Sequence, residues 1–222
     1  MTFTFLIALA VIIILLIIPQ VMKKIVYKKL TTFLSQGQYD DFTKLLDGFA
    51  CTFSFKPYNR EFMRLTSYFM RNDKKMIEEQ LDRMFSKLKM KGEQKTAVAN
   101  RGFYFYLENQ KYDKAEKMLN ICQKADKSPS DLHTMDMMYS ILALKKSDHI
   151  QEIRDRLEPL RSQPDAFIDP AKKVRIGIFE YLLGLQYSYL NNRKLAKNYL
   201  SSALKNCQNT PYEREIRKIM AS

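Results

Sequence analysis

The sequence predicts an all-α fold of about five helix–turn–helix units that follow one transmembrane helix. Three observations predict it. Only six glycines and seven prolines interrupt the 222 residues, a scarcity that suits long helices joined by short turns and argues against an all-β chain. Residues 1–22 carry no charged side chain. After them, short polar turns recur between apolar stretches at nearly constant spacing. With 46% hydrophobic and 27% charged residues, the composition is that of a folded chain.

The first element is "MTFTFLIALAVIIILLIIPQVM". As a helix it extends about 33 Å, enough to cross a hydrocarbon core of about 30 Å. No lysine or arginine precedes the apolar run and no A-x-A follows it, so an uncleaved anchor is expected rather than a signal peptide. Pro19, near its inner end, is expected to end or kink the helix. Lys23, Lys24, Lys28 and Lys29 follow at once, and the first acidic residue of the chain is Asp40. The positive-inside rule then puts the N-terminus outside and the body in the cytoplasm. The four lysines are membrane-surface candidates, each worth about 1 kcal/mol beside anionic headgroups.

Residues 23–38 read as a basic juxtamembrane segment and the first helix of an array, 39–209 as repeats, and 210–222 as a capping helix. The turns are marked by Gly37, Asn72, Asn109, Ser147 and Asn191, at intervals of 35, 37, 38 and 44 residues. The fourth turn is expected at Ser147–Asp148. Start signals stand between the hairpins. Pro57 opens the second hairpin. Asp131 is a candidate cap, Asp169 and Pro170 are an N-cap and a first helical residue, and Thr210 with Glu213 has capping-box spacing.

Two of these hairpins resemble the tetratricopeptide repeat. Leu183, Gly184, Tyr187, Ala196, Leu200 and Ala203 fall at that family's positions, and so do Tyr106, Tyr112, Ala115, Leu119 and Cys122, with Gly102 one residue early. The other hairpins depart from it. Phe42, Ile77 and Ile153 stand where the small residue belongs, and the family's tryptophan is absent throughout. The resemblance implies a TPR-like α-solenoid with a concave groove for a protein or peptide partner. It implies Asn100, Tyr104, Tyr181 and Tyr189 as groove-lining candidates. The family's peptide-carboxylate clamp is not matched, because Phe62, Thr66, Ala97 and Tyr104 occupy its places.

The pattern points away from an enzyme. The two histidines, His133 and His149, have no HxxxH or HExxH spacing, and no GxGxxG, GxxxxGK[ST] or GxSxG occurs. Catalytic, metal and cofactor residues are therefore expected to be none. Cys51, Cys122 and Cys207 form no CxxC, and each reads as a buried apolar residue in a reducing compartment. The net charge of +13 is scattered among acids along helical faces, so nucleic acid is the disfavoured partner. The expected function is a membrane-anchored adaptor or scaffold that binds proteins at the cytoplasmic face. The alternatives are a tethered basic array that binds nucleic acid and a translocated repeat protein outside the membrane.

Overall fold

A computed structural model describes the backbone of residues 2–125, 129–162 and 169–221, and their side chains apart from those of residues 2–18 and 211. Among the described residues there are twelve α-helices and no strand. They are α1 (Thr2–Ser35), α2 (Tyr39–Asp47), α3 (Phe49–Ser54), α4 (Pro57–Met70), α5 (Lys74–Lys87), α6 (Gly92–Glu108), α7 (Tyr112–Gln123), α8 (Leu132–Leu142), α9 (Ile150–Arg161), α10 (Pro170–Tyr189), α11 (Arg193–Asn206) and α12 (Pro211–Ala221). The chain divides into two compact units, Met1–Val98 and Ala99–Ser222, with the boundary inside α6.

In the first unit α1 does not end at Pro19; it runs through it to Ser35. A proline inside a helix removes one hydrogen bond and crowds one carbonyl, at about 3 kcal/mol. Beyond Pro19 the helix is held by tertiary packing, with Val26 and Leu30 buried against Phe42, Leu46, Cys51 and Phe55. The apolar segment and the segment expected to be the first array helix are thus one helix. Most of the span expected at residues 1–22 lies outside the residues whose side chains are described. Among the described residues no helix is long and apolar enough to cross a membrane.

The second helix of the first hairpin is broken in two at Gly48, which is extended at ψ 160°. A Cβ there would stand 3.3 Å from the Leu45 carbonyl oxygen. The remainder of the unit is the α4–α5 hairpin and the start of α6. The hairpin is tied by a buried polar network in which Arg64 pairs with Glu61 and the Gln80 amide donates to Glu61 at 2.8 Å, and Arg64 also pairs with the more exposed Asp47 at the end of α2.

Four turns repeat one geometry. Gly37, Asn72, Gln110 and Asn191 adopt left-handed φ of 70°, 53°, 57° and 59°. In each, the following N–H donates to the carbonyl of an aromatic residue five positions earlier. These are Gln38 to Phe33, Asp73 to Tyr68, Lys111 to Tyr106 and Asn192 to Tyr187, at 2.8–3.1 Å. This is a Schellman closure, and it satisfies carbonyls that the helix end leaves unpaired. Five residues after each left-handed position a side chain is buried (Phe42, Ile77, Ala115, Ala196), and nine after it a leucine is (Leu46, Leu81, Leu119, Leu200).

The fourth hairpin corrects the expected turn at Ser147–Asp148. Here α8 ends at Leu142, Lys145 takes the left-handed φ of 54°, and α9 starts only at Ile150. The sequence has no Gly or Asn in this turn to fix a tight closure, and Lys146 instead donates to Ser140.

The second unit is built on α10, whose residues Leu182–Gln186 are all buried. Gly177 and Gly184, two turns apart, admit the backbone of α11. Glu180, only 1% exposed, is fully engaged: Arg161 (2.6 Å) and Ser202 (2.7 Å) share one oxygen, and Asn206 (2.8 Å) takes the other. The capping expected at Asp169 is present, since its carboxylate accepts from the Lys172 N–H at 2.6 Å. At the last helix the box is shifted: Glu213 accepts from the Asn209 N–H at 2.8 Å, and the Thr210 hydroxyl donates to Cys207. Cys122 and Cys207 are buried free thiols, as is Cys51 in the first unit.

Candidate functional site

The second unit holds a small tyrosine-lined cleft. Tyr104 and Glu108 come from α6, one helical turn apart. Tyr112 opens α7, and Tyr181 comes from the middle of α10. Tyr212 and Glu215 come from α12, three residues apart and so on one face. Leu107, Met138 and Leu142 supply apolar wall. The free volume is about 40 Å³, a few times the 10–15 Å³ that one water needs. The Tyr181 and Tyr212 rings are 5.8 Å apart and tilted by 57°.

Neutral donors face the carboxylates in and behind the cleft, and the exposed Arg214 also stands 3.8 Å from Glu215. The Tyr104 hydroxyl donates to Asp131 at 2.6 Å, and the Asn100 amide donates to the other Asp131 oxygen at 3.0 Å. Gln110 donates to Glu215 at 2.9 Å. Burial first, then the Asp131 bond, hold the Tyr104 phenol above its ordinary range. Burial and neighbouring Tyr189 and Glu215 do the same for Tyr181, and burial with the Glu108 carboxylate for Tyr212. Tyr189 is pushed up to about 12, chiefly by burial. All four phenols are therefore protonated at neutral pH.

Of the groove candidates, the structure brings Tyr104 and Tyr181 into the cleft wall. Tyr181 is buried rather than presented on a surface. Asn100 stands behind Tyr104 through their shared Asp131, and Tyr189 donates to the Ile141 carbonyl at 3.1 Å. Asp131 does not cap α8 with its side chain; the two α6 donors have claimed its oxygens. The residues missed by sequence reasoning are Glu108, Tyr112, Tyr212 and Glu215. The i, i+3 pair of Tyr212 and Glu215 on α12 was the available signal, hidden because that helix reads as a solvated cap.

The two histidines meet on one acid. His133 Nε2 is 2.6 Å from one Glu152 oxygen, and His149 Nδ1 is 3.1 Å from the other, with Arg156 also on Glu152 at 2.6 Å. Among the described residues no group of histidine, cysteine and acid side chains could hold a metal ion. In the first unit Lys23, Lys24, Lys28 and Lys29 are exposed along α1, with Lys23 over the Phe55 ring at 5.8 Å and Lys29 over Phe33 at 5.6 Å.

Comparison with known proteins finds no matching family model, curated protein or solved structure.

Proposed function

We propose that this chain is a membrane-anchored, TPR-like helical-repeat adaptor that binds a protein partner through the tyrosine-lined cleft. The cleft carries the proposal. In a chain of net charge +13, its walls combine aromatic rings with Glu108 and Glu215. Ring faces and carboxylates both attract a cation. A free volume of about 40 Å³ suits the compact ammonium of a lysine side chain better than a planar guanidinium or an aromatic ring. The partner is therefore a protein segment that presents a lysine.

The repeat reading is supported by the turn geometry shared at Gly37, Asn72, Gln110 and Asn191 and by the motif residues around Gly184. The membrane reading is supported by the uncharged segment of residues 1–22 and the four lysines after it. Tethering raises the local concentration of partners at the same surface. On this reading the body is cytoplasmic.

The test is crosslinking in native membranes with a photoreactive residue at Gln110 on the cleft rim, with and without Glu215→Gln. A discrete protein adduct, lost in the variant and mapping to a lysine-bearing segment, is the expected result. Adducts indifferent to Glu215, or measurable turnover of a small substrate without any adduct, would overturn the reading. Protease digestion from outside intact cells checks the orientation. A body degraded there contradicts the cytoplasmic placement.

A further inference from the structure

The first unit carries an exposed aromatic pair for which its own core has no use. Phe49 is 81% exposed and Phe53 59% exposed. They stand four residues apart on α3 and stack with centroids 6.1 Å apart. Two such rings in contact make a contiguous exposed apolar patch, and larger patches of this kind mark interaction sites. The opposite face of the same helix is committed to the core, where Cys51 packs with Val26, Leu30 and Phe55.

The position of α3 along α1 says what covers the pair. Phe55, just past the end of α3, lies under Lys23, the first charge after the apolar segment. Cys51 and Phe55 share a core with Val26 and Leu30. Thus α3 lies beside residues 23–30 of α1, a stretch about 10 Å long that begins where the apolar segment ends. The headgroup layer on each side of a bilayer is about 5–8 Å thick, so this stretch is long enough to cross it. On α1 itself, Ile25 is 62% exposed beside exposed Lys23, Lys24, Lys28 and Lys29. No acidic residue occurs within α3, and Lys56 follows it.

We infer that α3 is an interfacial foot: Phe49 and Phe53 insert into the surface of an anionic bilayer, framed by the lysines, and so fix the tilt and height of the first unit on the membrane. The inference rests on the anchor reading. Aromatic rings at the boundary between acyl chains and headgroups, with basic residues around them, are the chemistry of interfacial helices. The short helix is added to a spanning one, so its role is orientation rather than attachment. The break at Gly48 has a purpose in this light, because it separates α3 from α2 and lets the aromatic face turn outward.

The chain has no tryptophan, which makes a single introduced one a clean reporter. Phe49→Trp and, separately, Leu16→Trp in the full chain are reconstituted into vesicles of phosphatidylcholine and phosphatidylserine at about 3:1, with and without brominated acyl chains. Helicity is checked by circular dichroism. Both reporters are expected to emit in the blue and to lose about half their emission or more to bromine, Leu16→Trp most, as suits a foot buried about 5–10 Å. Quenching of Leu16→Trp with water-like, unquenched emission from Phe49→Trp overturns the foot and leaves the anchor standing. A blue-shifted but unquenched Phe49→Trp means that protein covers the pair, a second copy included, and also overturns the foot. Quenching of neither reporter overturns the anchor reading and the foot together.

Discussion

Leu200 occupies the space that a side chain on Gly184 would need. A Cβ built on Gly184 falls 2.7 Å from Leu200 Cγ and 3.2 Å from the Leu200 backbone nitrogen. Seven residues earlier, a Cβ on Gly177 would fall 2.5 Å from Cys207 Sγ and 2.8 Å from Asn206 Cβ. These two glycines set the approach of α10 and α11. Alanine normally improves a helix over glycine by about 1 kcal/mol. Here the gain is reversed by overpacking of about 1–3 kcal/mol. Gly184→Ala and Gly177→Ala are expected to lower the urea midpoint. Gly92→Ala, with nothing within 4 Å, is expected to leave it unchanged or raise it. Gly37→Ala also meets nothing within 4 Å, yet it is expected to destabilise because its φ is +70°. Equal midpoints for all four variants would refute the close-packing account.

Breaking the Glu180 network tests a different kind of burial. Arg161 is the only cation among the partners described for Glu180, with Ser202 and Asn206 completing the carboxylate. Arg161→Ala leaves a buried negative charge on two neutral donors. Removing one partner of a buried pair costs about 3–5 kcal/mol, and the partial exposure of Arg161, at 39%, reduces this to roughly 2 kcal/mol. Glu180→Gln in the Arg161→Ala background is expected to recover part of the loss, because it removes the stranded charge. A denaturation double-mutant cycle measures this, and simple additivity would count against a charge-based role.

Much of the fold was legible because its local signals are strong. Gly37, Asn72 and Asn191 are residue types that tolerate left-handed backbone, and the turns formed there. Asp169 and Pro170 started α10 where their chemistry places a helix start. The fourth turn was misplaced because Lys145, a residue type that does not favour positive φ, takes the left-handed position. The break at Gly48 and the passage of α1 through Pro19 were also missed. The passage of α1 goes with the packing of Val26 and Leu30 against residues distant in sequence. Of the candidate cleft, Tyr104 and Tyr181 were named through the resemblance, whereas Glu108, Tyr112, Tyr212 and Glu215 were not, because individually they look like solvated surface.

Alkaline conditions should destabilise the second unit. Burial pushes the Cys122 and Cys207 thiols up to about 11 from an ordinary 9.0. The folded state thus holds the proton more tightly than the unfolded chain, and the unfolded chain gains by ionising first. The contribution is complete below about pH 9 and declines as pH rises towards about 11. Thermal melts between pH 7 and pH 11 should show it, with the steepness reduced in Cys122→Ala and Cys207→Ala. The raised phenols of Tyr104, Tyr181 and Tyr212 extend the loss to higher pH. A flat profile to pH 11 would contradict the burial of these groups.

The Glu152 cluster predicts the opposite slope at acid pH. Burial acts to raise this carboxyl, but bonds from His133 and His149 and the charge of Arg156 hold it below its ordinary value. A depressed carboxyl stabilises the fold above its unfolded pKa, and that contribution is lost as pH falls through the folded one. Glu152→Gln is therefore expected to cost about 1 kcal/mol at neutral pH, given its partial exposure. Melts of wild type and variant should converge below the carboxylate range. A gap that persists there would assign the effect to packing rather than charge.

The cleft can be separated from its scaffold by two conservative changes. Glu215→Gln keeps the shape of the wall and an acceptor for Gln110 but removes the charge. Tyr104→Phe keeps the ring but removes the donor that binds Asp131 at 2.6 Å. The first is expected to weaken capture of a lysine-bearing segment about tenfold while leaving the melting temperature within a degree or two, since the ion pair described for Glu215 is a long one to the exposed Arg214 and such pairs contribute little to stability. The second leaves the Asp131 carboxylate short of one bond, which costs about 1–2 kcal/mol of stability, and should change binding less because the ring face remains. Binding is read with a peptide carrying one lysine against the same peptide carrying norleucine, using the chain's tyrosine emission. If Glu215→Gln binds both peptides as wild type does, the cleft is a packing defect between α6, α7, α10 and α12, and the partner must be sought on another face.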